Sequence, residues 1–434
     1  MDTDKQKLSL AGSVSLGTGV MIGAGIFALV GQVSELAGPL MPLAFLAGAI
    51  VVGFSAYSYV RYSDTNPSSG GVAMLLKAAY GPGVIAGSFS LFMYVSMVVA
   101  QSLLARTFGT YALRPFGLEG STVLVPVLGI AAIVLAAAVN LVGTNWVERS
   151  ATITAALKIV GIAVLAIGGL VAAGPSTLLD FASGDSAGQT SHGLLGFLAG
   201  TTLCILAYKG FTTITNQGDD VANPTKNLSR SITISIIVCA VLYLLITVSV
   251  AGSLSVQEIV DARDYALAAS ADPLFGAWGV GLTIALAVVA TLSGLLASIY
   301  SVSRLYDMLR DLGQAPSLPG NPRHQSLIIT AGLAIVLAAF LDLGQIASMG
   351  AILYLAMDMA IHWGVIRHLR AEIGANPIIP AIAIILDLAV LGAFITVKLR
   401  DDLLTLGVAA GVATLITVSQ IAVARRRPGA TSTS

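Results

Sequence analysis

Long apolar stretches that carry almost no charge recur from one end of the chain to the other. The core of a bilayer offers the backbone no hydrogen-bond partners, so only helices and closed barrels can span it. The stretches are continuous rather than alternating, which is typical of helices and not of barrel strands. Only 10% of the 434 residues are charged, whereas soluble domains have about 25%. The sequence therefore predicts an all-α membrane protein.

Twelve of these stretches meet or approach the ~20 residues that a helix needs to cross the hydrocarbon core. They lie near residues 10–36, 40–61, 83–112, 122–143, 151–173, 193–217, 231–252, 275–301, 326–342, 346–369, 377–398 and 402–424. With a cytoplasmic N-terminus, most Lys and Arg residues outside the spans fall on the cytoplasmic side, as the positive-inside rule requires. We therefore predict a multi-pass protein of the cell (inner) membrane with both termini in the cytoplasm.

Charge and motifs disfavour several classes of function. The formal net charge is +0, so no general attraction to nucleic acid is expected. Cys204 and Cys239 lie inside apolar stretches and are expected to be small buried residues. The chain has only four His residues and no HExxH or CxxC motif, which argues against a membrane enzyme. It also has no GxxxxGK(S/T) loop for ATP. We expect no cofactor, no metal and no required protein partner besides the lipid bilayer.

Spans one and six share an unusual pattern. Residues 17–39 read GTGVMIGAGIFALVGQVSELAGP, and residues 200–224 read GTTLCILAYKGFTTITNQGDDVANP. Each segment begins with Gly-Thr and ends with a proline. Close packing of small residues against other helices also explains a glycine-rich span. Interruptions at matching places in two halves, however, point to a binding site between inverted repeats.

The repeat hypothesis divides the chain into four parts. Residues 1–173 form the first repeat, with spans one to five. Residues 174–370 form an external loop and the second repeat, with spans six to ten. Residues 371–424 form two peripheral spans, and residues 425–434 form a cytoplasmic tail.

A broken membrane helix has a specific binding chemistry. The unwound backbone leaves N–H and C=O groups without partners inside the helix. Free N–H groups at the start of a half-helix attract a carboxylate, and unwound carbonyls can accept hydrogen bonds from an ammonium group. A zwitterionic amino acid carries both groups and therefore complements such a site.

At these motifs the sequence resembles the amino acid–polyamine–organocation (APC) superfamily, most closely its proton-coupled amino acid transporters of the ApcT type. The motifs are GVMIGAGIF in span one, AYKGFTTITNQGDDVANPTKNLSRSI in and after span six, and Lys158 within ALKIVGIAV of span five. Similarity in length and in the order of the spans covers nearly the whole chain. The resemblance implies a LeuT-like fold of twelve transmembrane helices, with a 5+5 inverted repeat in which helices 1 and 6 are broken.

The resemblance also implies which residues bind the substrate. Those expected around its carboxylate are Ile22, Gly23, Ala24 and Gly25. Those expected to offer backbone to its ammonium group are Ala207, Tyr208 and Gly210, with Phe211 as a gate.

The hypothesis of proton coupling depends on Lys158. In ApcT-type relatives a span-five lysine takes the place that sodium holds in sodium-coupled transporters, and Ser293 of span eight would be a polar neighbour. Burial disfavours the charged form of a lysine, which makes proton coupling feasible. The alternative is a lysine that extends its ammonium group toward the membrane interface.

Two further charges inside the spans are candidates for function. Lys209, beside the predicted break, departs from the uncharged residue of many relatives. It could bind an anionic group of the substrate, pair with a carboxylate inside the membrane, or hold the helix against a neighbour. Asp358 in span ten or Asp387 in span eleven could be the partner of a buried lysine, and Asp358 is the better candidate because span ten belongs to the repeat core. His362 lies one turn later, where a packing role is expected.

The sequence therefore predicts a secondary active transporter of small neutral amino acids, with proton-coupled symport by alternating access. Two alternatives stay open within transport. One is an amino acid exchanger without net proton movement, and the other is a carrier of another small solute or ion, such as an amine or potassium.

Overall fold

The protein is all-helical over the residues that the structure, a computed structural model, describes. These are residues 7–66, 71–142, 145–174, 193–216, 218, 220–316 and 322–425. Within them no strand is present, and the only β pairing is an isolated bridge between Leu8 and Val221. Most of the predicted external loop and nearly all of the predicted tail lie outside the described residues.

The helices are numbered here in chain order. They are α1 Leu10–Ala37, α2 Met41–Thr65, α3 Gly71–Tyr80, α4 Val84–Leu113, α5 Leu124–Val142, α6 Asn145–Ala173, α7 Gly193–Tyr208, α8 Thr212–Thr215, α9 Pro224–Ser253, α10 Val256–Ala262, α11 Ala266–Asp311, α12 Pro322–Phe340, α13 Leu343–Gly364, α14 Ile378–Asp401 and α15 Leu403–Arg425. Short 3₁₀ turns cover Gly38–Leu40, Arg114–Phe116, Lys209–Phe211 and Arg263–Tyr265, and α13 continues as a π-helical segment over Val365–Leu369.

Eleven of the twelve predicted spans each correspond to one of these helices, and span six corresponds to α7, the 3₁₀ turn Lys209–Phe211 and α8. In the described part of the chain, ten helical stretches are long and apolar enough to cross a membrane. One of them joins α1 and α2, which the turn Gly38–Leu40 separates. The ninth predicted span is the shorter apolar helix of residues 324–340 within α12. The chain is therefore a multi-pass helical membrane protein.

The eighth span begins at a kink. Helix α11 is 46 residues long, but Gly276 has φ 63° and ψ −157°, outside the helical region. Glycine adopts positive φ without the steric cost that a side chain would impose. The kink follows Pro273 and separates a short outer arm from the long apolar part of the helix, so the predicted start near residue 275 agrees with it.

Helix α1 lies at the centre of the bundle. It packs against α4, α6, α7, α9 and α11, while α2 packs against α7 and α9. Helices α14 and α15 lie outside this group, and α15 contacts mainly α4, α13 and α14. Large apolar side chains on the outer faces are exposed, as with Trp278 at 90% and Phe340 at 81%. This surface suits a lipid environment.

The predicted break in span six is present as a local change of helix type. Helix α7 ends at Tyr208, the chain makes a 3₁₀ turn over Lys209–Phe211, and the short α8 follows. The 3₁₀ turn is tighter than an α-helix and often marks a functional hinge when it interrupts one.

The predicted break in span one is not present in this structure, because α1 is helical without interruption from Leu10 to Ala37. Its glycines serve close packing instead. A Cβ atom on Gly23 would lie 2.9 Å from the Ala290 carbonyl oxygen, and one on Gly25 would lie 2.7 Å from the Ala207 Cβ atom. Small residues allow such approach of helix backbones, so the glycine pattern does not require an unwound segment.

Candidate functional site

The predicted substrate-binding residues of α1 and span six lie against each other in the core. Gly25 meets Ala207 of α7, and Gly210 of the 3₁₀ turn lies against the Met21 backbone, where a Cβ atom would come within 2.8 Å of the nitrogen. Ile22 and Ala207 are buried. Ala24 belongs to α1, but the surroundings of its side chain are outside the described part. The two segments meet as predicted, and they are in direct contact at Gly25 and Gly210.

The aromatic side chains of span six point away from this contact. The Tyr208 hydroxyl donates to the Phe45 carbonyl oxygen at 3.2 Å, and its ring lies 5.0 Å from the Tyr243 ring. The Phe211 ring packs edge-on against Tyr59, with centroids 5.2 Å apart. The Tyr208 side chain is therefore engaged away from this contact, and the role of its backbone in substrate binding stays a prediction. Phe211 lies against α2 and does not cover the contact of α1 with Ala207.

A small cavity opens between α1, α4, the 3₁₀ turn of span six and α11. Its lining residues are Val20, Met97, Ala100, Leu206, Ala207, Lys209, Gly210, Thr212, Thr213 and Ser298. The space open to a water molecule's centre is about 20 Å³, roughly what one water needs. A free amino acid does not fit without movement of the helices.

Lys158 is buried in the bundle, with only 2% of its surface exposed. Its Nζ atom donates a hydrogen bond to the Gly19 carbonyl oxygen of α1 at 2.9 Å. The ammonium group is therefore held at the central helix and does not extend to the membrane interface. The Ser293 hydroxyl donates to the carbonyl oxygens of Val289 and Ala290 in its own helix. The expected contact between Ser293 and Lys158 is not formed.

Lys209 lines the cavity and is 4% exposed. Its Nζ atom donates to the backbone and side-chain oxygens of Ser96 in α4, at 2.6 and 2.5 Å. The Ser96 hydroxyl in turn donates to the Gly350 carbonyl oxygen of α13 at 2.7 Å, and the Tyr354 ring lies 5.6 Å from Nζ. Lys209 thus ties span six to α4. Its described partner is a serine, so the alternative of a carboxylate partner is wrong.

Asp358 is fully buried in α13, but it does not contact either lysine. Its oxygens accept hydrogen bonds from the Ser55 hydroxyl at 2.6 Å and from the Tyr59 hydroxyl at 2.5 Å, both on α2. The expectation that Asp358 pairs with a buried lysine is therefore wrong. The reason is geometric, since Lys158 and Lys209 are held by Gly19 and Ser96 on other helices.

Contacts of the N-terminal segment lie at the start of α1. The Leu8 amide donates to the Asp220 carbonyl oxygen at 2.7 Å, and the Ala222 amide donates to the Leu8 carbonyl oxygen at 2.9 Å. Arg304 of α11 forms an ion pair with the Asp220 carboxylate. These contacts connect the start of α1, the segment after span six and the end of α11.

A second polar group lies near the C-terminal end of α1. Arg263 pairs with Glu35 at 3.1 Å and also donates to the Gln32 side-chain oxygen at 3.1 Å. Gln32 donates to the Asp264 carboxylate at 2.9 Å. Burial raises the pKa of Asp264 above its ordinary value, and the Arg263 charge opposes that shift.

Sequence reasoning missed the cavity residues on α4 and both of those on α8. Met97 and Ala100 are ordinary apolar residues of an apolar span, and Thr212 and Thr213 are ordinary polar residues after a turn. Nothing in their type or spacing marks them, because only the packing of α4 beside span six brings them together.

The chain is similar in sequence to known membrane transport proteins. The family model described as "Amino acid permease" matches residues 8–421. The inner membrane transport protein YbaT of Escherichia coli is 31% identical over 394 residues, covering 89% of each chain. The serine/threonine exchanger SteT of Bacillus subtilis is 25% identical, covering 72% of this chain and 70% of its own. The methylthioribose transporter of Bacillus subtilis is 26% identical, covering 85% and 84%.

Proposed function

This chain belongs to the amino acid permease family of the APC superfamily, and from that premise we propose that it carries small neutral amino acids by proton-coupled symport. It is a transporter of a small molecule and not an enzyme. The observation that carries the proposal is the cavity at the 3₁₀ turn of span six, which lies beside α1 and is lined by residues of both. A carrier that works by alternating access needs such a site at the interface of its repeats.

The lining of the cavity supports a neutral cargo. It is mostly apolar, it contains hydroxyl groups of threonine and serine, and its one charged residue is Lys209. An ammonium group at that place disfavours a cationic substrate. Because the residues around Gly25 are tightly packed and α1 is continuous, substrate entry requires α1 and span six to separate. We place local unwinding of α1 at Ile22–Gly25 in that step.

Coupling to protons is assigned to Lys158. In its charged form the ammonium group makes a charge-assisted hydrogen bond to the Gly19 carbonyl oxygen, and such bonds are roughly twice as strong as neutral ones. Loss of the proton weakens the tie between α6 and α1. Movement of α1 and release of the proton are then linked, and the linkage acts in both directions.

The same proposal places the protein in the cell (inner) membrane with both termini in the cytoplasm. The placement of Lys and Arg supports this orientation. It puts the Arg304–Asp220 contact on the cytoplasmic side and the Arg263–Glu35 contact on the external side.

Uptake by the wild-type protein tests the proposal directly. In proteoliposomes we expect an inward proton gradient to stimulate uptake of radiolabelled alanine or serine at least severalfold, because the proton enters with the substrate. Protein-free liposomes are the control. Uptake that ignores the gradient but rises when unlabelled amino acid is loaded inside would instead establish exchange. If the protein takes up no amino acid, the proposed cargo is wrong and the protein carries another solute.

Lys209→Met is expected to relax selection against cationic amino acids. Two like charges about 4 Å apart repel by about 4 kcal/mol at an effective dielectric constant near 20, so removing the Lys209 ammonium group removes a large penalty. We expect lysine to inhibit labelled alanine uptake at least tenfold more effectively in the variant than in the wild type. The measurement is a competition curve, with the exposed Lys226→Met as the matched control. Equal inhibition of wild type and variant by lysine would show that Lys209 does not select the cargo.

A further inference from the structure

A second group of polar residues, separate from the proposed transport site, lies between α13 and α14. It consists of Asp358 and His362 of α13 and Asp387 of α14, and all three are fully buried. The His362 Nε2 atom lies 3.4 Å from the nearer Asp358 oxygen and 3.8 Å from the nearer Asp387 oxygen. One oxygen or nitrogen from each residue lies within 4.8 Å of the others.

Several atoms of this cluster have no partner. The His362 Nε2 atom and both carboxylate oxygens of Asp387 are buried without a hydrogen bond. Burying an unpaired carboxylate is very costly, and most buried polar side-chain atoms in proteins are paired. Lys158 and Lys209 bind elsewhere. Two carboxylates in one enclosed space therefore need either a bound cation or a proton to balance their charge.

The distances favour a metal ion over a proton shared between His362 and a carboxylate. A charged N–H donor and a carboxylate usually approach to about 2.7–2.9 Å, which is shorter than either separation here. Ligands that bind zinc at about 2.0–2.2 Å in a tetrahedron lie about 3.3–3.6 Å apart. The 3.4 Å separation of His362 and Asp358 matches that edge, and the 3.8 Å separation of His362 and Asp387 is close to it.

The residues around the cluster orient it for metal binding. The His362 Nδ1 atom lies 2.9 Å from the Ser58 hydroxyl. When Nδ1–H donates to Ser58, the lone pair of Nε2 faces the two carboxylates. The hydroxyls of Ser55 and Tyr59 hold the Asp358 carboxylate. Metal-binding His and carboxylate groups are typically held by such outer hydrogen bonds.

We propose that Asp358, His362 and Asp387 bind a divalent first-row transition ion of the zinc class. One imidazole and two carboxylates suit such an ion, whereas magnesium and calcium prefer oxygen ligands alone. The ion neutralises the two buried carboxylates and joins α14 to α13, and α2 supplies the outer hydrogen bonds. The site is independent of the proposed transport function, and its test uses no transport assay.

Zinc binding by the full-length protein tests the proposal. The protein is purified in detergent, its affinity tag is removed, metal is stripped with a chelator, and Zn²⁺ is added before dialysis. Elemental analysis is expected to find one Zn²⁺ per chain. Replacement by Co²⁺ is expected to produce the visible absorption bands of a four- or five-coordinate site with nitrogen and oxygen ligands.

Two variants assign the bound ion to this cluster. Asp387→Asn removes a ligand and is expected to weaken Zn²⁺ binding at least tenfold, whereas the exposed Asp272→Asn is the matched control. Ser58→Ala leaves all three ligands in place and is expected to weaken binding about 10- to 100-fold, as loss of an outer hydrogen bond does. Gel filtration shows that each variant is folded.

Two outcomes would overturn the proposal. One is a wild-type protein that retains no Zn²⁺ and shows no Co²⁺ bands, since protons would then balance the carboxylates. The other is a folded Asp387→Asn that binds Zn²⁺ as tightly as the wild type, which would place the ion elsewhere. If Asp387→Asn does not fold, the wild-type spectrum and Ser58→Ala still decide.

Discussion

Replacing Lys158 with alanine is expected to abolish the stimulation of amino acid uptake by an inward proton gradient. In the wild type, the Lys158 ammonium group donates to the Gly19 carbonyl oxygen of α1 from a buried position on α6. Alanine can neither carry the proton nor make this contact. Burying the charged Lys158 side chain is costly. Removing its ammonium group therefore does not by itself unfold the bundle. The measurement is the ratio of uptake with and without the gradient, which is expected to fall to about one.

A second substitution separates proton binding from simple attachment. Lys158→Arg keeps a positive charge and hydrogen-bond donors, but a guanidinium group does not lose its proton in proteins. We therefore expect this variant also to ignore the gradient, even if α1 stays attached to α6. The exposed Lys226→Ala should keep the full response. Gradient-stimulated uptake by Lys158→Arg would show that coupling lies at another group.

Gly25→Ala is expected to reduce uptake at least tenfold. A Cβ atom at this position would lie 2.7 Å from both the Ala207 Cβ atom and the Tyr243 hydroxyl oxygen, and 3.0 Å from the Ala207 Cα atom. Two of these atoms belong to α7, which cannot move aside as a flexible side chain can. The added methyl group therefore forces α1 away from span six, and overpacking of this kind costs about 1–3 kcal/mol. Both uptake and the free energy of unfolding should fall.

The control for this prediction is a glycine in open space. A Cβ atom on Gly53 of α2 would meet nothing within 4 Å, so Gly53→Ala should leave uptake unchanged. It should also stabilise the helix by roughly 0.5–1 kcal/mol, because alanine is the better helix former. Wild-type uptake by Gly25→Ala would mean that α1 and α7 need not approach closely during transport.

The helical spans could be predicted from the sequence almost completely. Continuous apolar stretches of membrane length are a local property of the chain, and the bilayer leaves helices as the available solution. The kink at Gly276 lies at the predicted start of span eight. The 3₁₀ turn at Lys209–Phe211 lies at the predicted break in span six. The predicted break in span one is absent. Glycines mark either an unwound segment or a close helix contact, and α1 shows the second.

The candidate sites were predicted less completely. The contact of span one with span six was expected, but Ser96 as the partner of Lys209 and Gly19 as the partner of Lys158 were not. A serine or a backbone carbonyl is too common in a sequence to be selected as the partner of a particular charge. His362 was expected only to pack, because Asp387 lies on another span and its approach cannot be read from spacing.

The sequence by itself determined that this is a multi-pass helical membrane protein and where its spans lie. It also determined that spans one and six share an unusual pattern of glycines that ends in a proline. These properties depend on the hydropathy of neighbouring residues and on glycine and proline, and each acts within a single helix. Only the tertiary structure decided that α1 is continuous, that Lys209 binds α4, and that Asp387 meets His362. Those outcomes depend on the rotation and tilt of each helix against its neighbours. In a uniformly apolar bundle, close packing of side chains and interhelical hydrogen bonds set that rotation and tilt, and hydropathy does not encode them.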